Sequence, residues 1–249
     1  MVTLLLALQF LTVLPLKINK FSDHKIAYST VFFPVAGFLI GLLLVGLDIF
    51  LLKLNLPYLA VNVILVVSLG FITGGMHLDG LADTADAFLS GKNKDEMLSI
   101  MRDPHIGVMG VLSIISVMFL KIALLFSITG VLRFDILILM CVLSRWSVVL
   151  QMFFFPYARK EGKAGKFIQG MNLKIFILST VITVLIAFFI LNARGLILLF
   201  IIGLSAYIAA KIASHKIGGI TGDTLGATIE LMEITALLTV CLAPGVIYG

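Results

Sequence analysis

Apolar residues in this chain gather into long runs, at roughly 31–52, 57–76, 107–129, 134–155, 175–192, 195–214 and 226–247. A helix needs about 20 apolar residues to cross the hydrocarbon core of a bilayer, so each run has the length of a span and the pattern predicts seven transmembrane helices. A further apolar run at residues 2–14 stops at Pro15 and is short for a span. No Lys or Arg precedes it, as the start of a cleaved secretory signal would require, so an interfacial or re-entrant helix is expected there. The predicted fold class is an all-α integral membrane protein, a single polytopic domain over residues 1–249.

Composition removes the soluble alternative. Of 249 residues, 61% are hydrophobic and 12% charged, and the mean hydropathy is +1.18. A soluble domain is about a quarter charged, so this chain cannot cover a water-facing surface. The net charge of +5 is placed unevenly. Lys17, Lys20, Lys25, Lys92, Lys94, Arg102, Arg159, Lys160, Lys163, Lys166, Lys174, Lys211 and Lys216 fall in one alternating set of connections. Only Lys53, Arg133 and Arg194 fall in the other, while Lys121 and Arg145 lie within spans. The positive-inside rule makes the first set cytoplasmic, and a basic excess of this kind points to membrane lipid rather than nucleic acid as a partner. Most of the non-repetitive polar sequence is on the same side, at 77–106, 156–174 and 215–224, so function is expected at the cytoplasmic face. Cys141 and Cys241 lie in apolar runs with no disulfide or metal-ligand spacing and are expected to be core residues.

Two segments resemble one another. GGMHLDGLADTAD at 74–86 and GGITGDTLGATIE at 218–230 align without gaps, sharing both glycines, an aspartate, a leucine and a threonine, and pairing Asp86 with Glu230. An even number of predicted spans separates them, which gives a parallel internal repeat. At 100° per residue Asp79, Asp83 and Asp86 fall within about 60° of one helix face. Like charges so spaced destabilise a helix, and a bound divalent cation reverses the sign. In the second copy Asp223 and Glu230 share a face, with Gly226 and Ala227 keeping it low enough for close approach. Carboxylate oxygens without clustered Cys or His favour a hard cation, so Mg²⁺ bridging to a phosphate is expected, the other reading being a solvated juxtamembrane face.

The remaining polar positions carry weaker signals. His77 falls about 160° from the aspartate face and joins the site only if the glycine turn redirects it. Arg102 and Asp103 before Pro104 fit a substrate contact or a turn. Arg145 lies within a span, where an ionised group is costly, so it either binds a phosphate or pairs with an acid. The run ARKEGKAGK at 158–166, with Lys163 in it, supplies cations for an anionic substrate or for lipid headgroups. Lys121 and Asp48 carry no usable signal.

With these segments in view, GGMHLDGLADTADA at 74–87, RDPHIGVMG at 102–110, FFPVAGFLIG at 32–41 and GGITGDTLGA at 218–227 resemble the cobalamin synthase family, the adenosylcobinamide-GDP ribazoletransferases. The resemblance covers most of the chain in order. It implies a Mg²⁺-dependent membrane enzyme that joins adenosylcobinamide-GDP to α-ribazole or its 5′-phosphate and releases GMP, with corrinoid and nucleotide substrates and the cell membrane as its place. A homo-oligomer is left open. Carried over by position, it implies Asp79, Asp83, Asp86 and Asp223 as the acidic set, with His77, Arg102, Asp103, Arg145 and Thr221 around them. Asp83 or His77 is the expected base, and Glu230 joins the metal set through the repeat. Val13 stands where a basic residue is expected. The rival readings are a CDP-alcohol-type phosphotransferase, whose downstream arginine and distant aspartates are missing here, an aspartate-rich membrane prenyltransferase, and an ion-coupled transporter.

Overall fold

A computed structural model of the chain describes residues 2–15, 23–159 and 161–242. Its helices are α1 (Val2–Leu11), α2 (Asp23–Ser29), α3 (Phe33–Lys53), α4 (Tyr58–Ile72), α5 (Met76–Leu89), α6 (Lys94–Ile100), α7 (Val108–Phe126), α8 (Val131–Phe154), α9 (Lys163–Gln169), α10 (Leu173–Ile217) and α11 (Gly222–Leu242). A single 3₁₀ turn at Thr30–Phe32 leads into α3, and no strand forms among the described residues.

The helices α3, α7, α8, α10 and α11 are long and apolar enough to cross a membrane, and α4 makes a sixth when taken with α5, from which it is bent by 89°. Unbroken, the 45 residues of α10 would rise about 68 Å, some twice the thickness of a hydrocarbon core. It breaks at Leu191 (φ −122°, ψ 16°) and Asn192 (φ 51°, ψ −137°). A Cβ on Gly195 would run into the Ala187 carbonyl, so the chain doubles back there and the arms lie side by side. Those arms are the predicted runs at 175–192 and 195–214. The predicted runs thus map onto α3, α4, α7, α8, the two arms of α10, and α11, and the end of the last run lies outside the described residues. One boundary moves: the run at 57–76 stops as a helix at Ile72, because Gly74 (φ 64°) and Gly75 (φ 69°) turn the chain through left-handed conformations that favour glycine. At ten residues α1 rises about 15 Å, too little to span.

The bundle is built around α8, whose side chains from Ile136 to Met152 are almost all buried. Helix α3 lies on it through Gly37 and Gly41 of the FFPVAGFLIG segment. A Cβ on Gly41 would sit 2.6 Å from the Ile138 Cα, and one on Gly37 would fall inside the Cys141 carbonyl. Small residues four apart let two helix backbones touch, the usual means of association where lipid removes a hydrophobic drive. Gly37→Ala therefore separates α3 from α8 and costs about 1–3 kcal/mol, read as a lower thermal midpoint in detergent.

At one end of the bundle Arg133, which the sequence places in a short connection, is buried. Its Nη2 lies 2.7 Å from Asp48 Oδ1 and 2.6 Å from Asn62 Oδ1, and its Nη1 donates to the Leu125 carbonyl at 2.9 Å. Asp48, which carries no sequence signal, is thus half of an ion pair joining α3, α4 and α8. The long connections gather at the other end: Arg159 reaches Asp223, Lys216 donates to the Phe88 carbonyl, and Lys94 lies against Gly218.

Candidate active site

The chain leaves α4 through the Gly74–Gly75 turn, and α5 lies across the loop-rich end at close to a right angle to α4. There it meets the start of α11. A Cβ on Gly80 would lie 2.7 Å from the Asp223 carbonyl oxygen, and one on Gly226 would lie 3.3 Å from the His77 Cα. The two glycine-and-acid motifs are therefore in backbone contact. Their helices cross in opposite chain sense, with Gly80 on Asp223 and His77 on Gly226.

Asp223 is held by its surroundings. Thr221 opens α11 with a reciprocal cap, its Oγ1 accepting from the Thr224 N–H at 3.2 Å while its own N–H donates to Thr224 Oγ1 at 2.8 Å. The Ala158 N–H donates to the Ile220 carbonyl and the Ile220 N–H to the Pro156 carbonyl, both at 2.9 Å, so the 156–159 segment is stitched alongside the turn. A side chain on Gly219 would collide with the Pro156 carbonyl, which explains the second glycine of that motif. This stitching places Arg159 Nη2 at 2.6 Å from Asp223 Oδ2.

Two cavities open beside this crossing and share Asp79. One, of about 300 Å³, is mostly apolar, with Phe10, Phe33, Val148 and Met152 in its wall and Asp79, Arg159 and Asp223 at its polar side. The other, of about 260 Å³, is polar and is formed by Asp79, Asp83, Arg102, Asp103 and His105. The Asp83 carboxyl is pushed up to about 7, first by burial and then by the charges of Asp79 and Asp223. Asp103 is held below the usual carboxylate range by the backbone N–H and the ring of His105.

The sequence-derived residues divide accordingly. Asp79, Asp83, Arg102 and Asp103 are brought to one cavity, and Asp223 stands across the helix crossing from them. Asp86 is turned away, because its carboxylate accepts from the N–H groups of Gly107 and Gly110 at 2.7 and 2.8 Å and caps α7. A side chain at either glycine would collide with that carboxylate, which accounts for the HIGVMG spacing. Glu230 is also elsewhere. Although it aligns with Asp86, it lies buried about two turns along α11 from Asp223, 2.6 Å from Lys121 Nζ. Arg145 takes the second of its two expected roles and pairs with an acid, Glu233, which also receives Lys121. Thr221 is fully buried in its cap and faces neither cavity. His77 is buried beneath the crossing at the inner wall of the apolar cavity. The side chain of Lys163 is outside the described residues. Val13 packs at Gly74, its N–H donating to the Ile72 carbonyl.

Among the described residues no three His, Cys, Asp or Glu side chains are gathered closely enough to hold an ion by themselves. Mg²⁺ seldom demands that, since it keeps waters and binds through one or two carboxylates plus substrate phosphates. Residues missed by the sequence reading are Glu233, Lys121 and Arg159. The first two are an acid and a base within apolar runs whose partners stand 88 to 112 residues away, whereas Arg159 stands within the basic run but is not distinguished there.

The fold is that of a multi-pass helical membrane protein with carboxylates and arginines converging on paired cavities at one end. The sequence profile described as cobalamin-5-phosphate synthase matches residues 3–241. Proteins named adenosylcobinamide-GDP ribazoletransferase are similar along the whole chain. The one from Desulforamulus reducens is 34% identical, covering 96% of each chain, and the one from Caldanaerobacter subterraneus is 37% identical over 94% of this chain and 96% of the relative. A third, from Roseiflexus, is 38% identical over 95% of this chain and 88% of its own. No solved structure matches. The chain belongs to the cobalamin-5-phosphate synthase family, transferases of cobalamin biosynthesis.

Proposed function

We propose that the chain joins adenosylcobinamide-GDP to α-ribazole or its 5′-phosphate, giving adenosylcobalamin or its phosphate and GMP, at the cytoplasmic face of a prokaryotic cell membrane. The observation that carries this is the meeting of the two acidic motifs over paired cavities that share Asp79. Two cavities with one acidic residue between them suit a reaction that brings a diphosphate and an alcohol together.

The product keeps one phosphate between corrinoid and ribazole, so a ribose hydroxyl of the acceptor attacks the corrinoid-side phosphorus. The bond from that phosphorus to the bridging oxygen breaks, and GMP leaves. In-line attack on a dianionic diphosphate is governed by positioning and by neutralising the non-bridging oxygens. Asp79 and Asp223 fit as oxygen ligands for Mg²⁺, which when bound supplies that neutralisation and pre-organises the diphosphate. The donor set is carboxylate oxygens, and their mutual repulsion is already felt at Asp83. Arg102, exposed at the rim of the polar cavity, is placed to pair with a phosphate oxygen of the donor. Asp83, whose carboxyl binds a proton near neutrality, takes the proton of the attacking hydroxyl.

The test is a product assay on the purified protein in detergent with adenosylcobinamide-GDP, α-ribazole 5′-phosphate and Mg²⁺. Equimolar GMP and completed corrinoid are expected. Turnover of a CDP-linked donor with CMP release, or pyrophosphate release from a prenyl diphosphate, would replace this reading with one of its rivals.

A further inference from the structure

We propose, building on the ribazoletransferase reading, that the apolar cavity is the acceptor subsite and that Arg159 recognises the 5′-phosphate of α-ribazole phosphate. The two cavities differ in what they accept. The polar one is lined by three carboxylates, Arg102 and His105, with no phenyl ring and an apolar wall of Ala82, Met101, Pro104, Ile106 and Ile114. The other is walled by Phe10, Phe33, Val148 and Met152, and Asp79, Arg159 and Asp223 supply its charge. At about 300 Å³ it stands at the small end of ligand sites, the scale of a single base and its sugar and far below a corrin macrocycle. An apolar bicyclic base on a ribose matches that division, with the base among the aromatic and aliphatic side chains and the ribose toward Asp79.

Arg159 is the cation at the polar side of this cavity. Its side chain is largely buried, at 12% exposure, and is steadied by the backbone pairing of 156–158 with Ile220. Nη2 donates to Asp223 Oδ2 at 2.6 Å and reaches the Met101 carbonyl at 3.5 Å, the guanidinium also bonds the Tyr157 hydroxyl, and Nε is buried without a partner. A guanidinium at the edge of an apolar cavity, turned from Asp223 toward a bound anion, presents the fork that recognises a phosphate bidentately. Binding the phosphate exchanges the contact with Asp223 for one to the acceptor and leaves Asp223 free to face the donor. Free α-ribazole fills the same cavity but offers the guanidinium only a neutral 5′-hydroxyl in place of a charged, bidentate phosphate, so Arg159 is a specificity residue between the two acceptors.

The experiment measures kcat/KM for α-ribazole 5′-phosphate and for free α-ribazole at saturating adenosylcobinamide-GDP, on the full chain in detergent. In Arg159→Ala the ratio of the two constants should fall on the order of ten- to a hundredfold, as expected for losing a hydrogen-bonded charge pair. Arg159→Lys, which keeps a charge beside Asp223 but not the fork, should show a smaller fall and serves if the alanine variant does not fold. A ratio unchanged within twofold in both variants would overturn the assignment, as would a rise in KM confined to adenosylcobinamide-GDP. If the unaltered protein uses neither acceptor, the ribazoletransferase reading itself fails, and the two failures are distinct.

Discussion

Asp83→Asn lowers the rate of ribazole transfer by about 10²–10³-fold while the protein still inserts and purifies with a thermal midpoint at or slightly above that of the parent. The magnitude is that of deleting one group on which the transition state depends. Stability is spared because Asp83 has no hydrogen-bond partner among the described residues and is only part-buried beside like charges. Removing the charge relieves repulsion with Asp79 and Asp223, so the folded state gains slightly as activity falls. That opposition separates a functional carboxylate from a structural one. Asp86→Asn should behave in the contrary way, since its carboxylate holds the first turn of α7 through Gly107 and Gly110. Steady-state kinetics and thermal melts on the same preparations check both, and a fully active Asp83→Asn would remove Asp83 from the mechanism.

Glu233→Ala carries the second large effect, on stability. Glu233 accepts from Lys121 on α7 and from Arg145 on α8, and Lys121 also holds Glu230, so two acids and two bases cancel inside the bundle. All four are buried. Breaking such a set by removing one partner leaves a charge unpaired in a low-dielectric interior, which costs about 3–5 kcal/mol. Arg145 is the group left most exposed to that penalty, since Glu233 is its only acidic partner among the described residues. Pairing Glu233→Ala with Arg145→Met should restore much of the thermal midpoint, because the set is again neutral around Lys121 and Glu230. A single variant as stable as the parent would contradict the buried network.

These two sets of acids mark how far the sequence is legible. Helical spacing brings Asp79 and Asp83 together because they lie on one face of one helix and line one cavity, and the repeat points to Asp223 because its motif carries the same glycines. The same arguments misplace Asp86 and Glu230. A helix wheel gives the direction of a side chain and says nothing of what stands opposite, here the backbone N–H groups of Gly107 and Gly110 for one and Lys121 for the other. Spans are legible from their length, even the break in α10 at Asn192, where a short polar interruption divides two apolar runs. The end of α4 is less so, since hydropathy continues past Ile72 while the backbone turns at the glycines. Long-range pairs such as Asp48 with Arg133, 85 positions apart, leave no local trace. Arg159 is set apart from its neighbours in the basic run only by the backbone bridge to Ile220, a contact that no composition reveals.

The account rests on Asp79 and Asp223, from two distant motifs, serving one cation-dependent diphosphate site. Electron paramagnetic resonance of Mn²⁺, substituted for Mg²⁺, with the purified protein and adenosylcobinamide-GDP measures this directly. Binding that requires the diphosphate, and that weakens at least tenfold in Asp79→Asn and in Asp223→Asn alike, is the result expected. Mn²⁺ bound as tightly by both variants as by the parent, or transfer that proceeds undiminished in excess chelator, would contradict it.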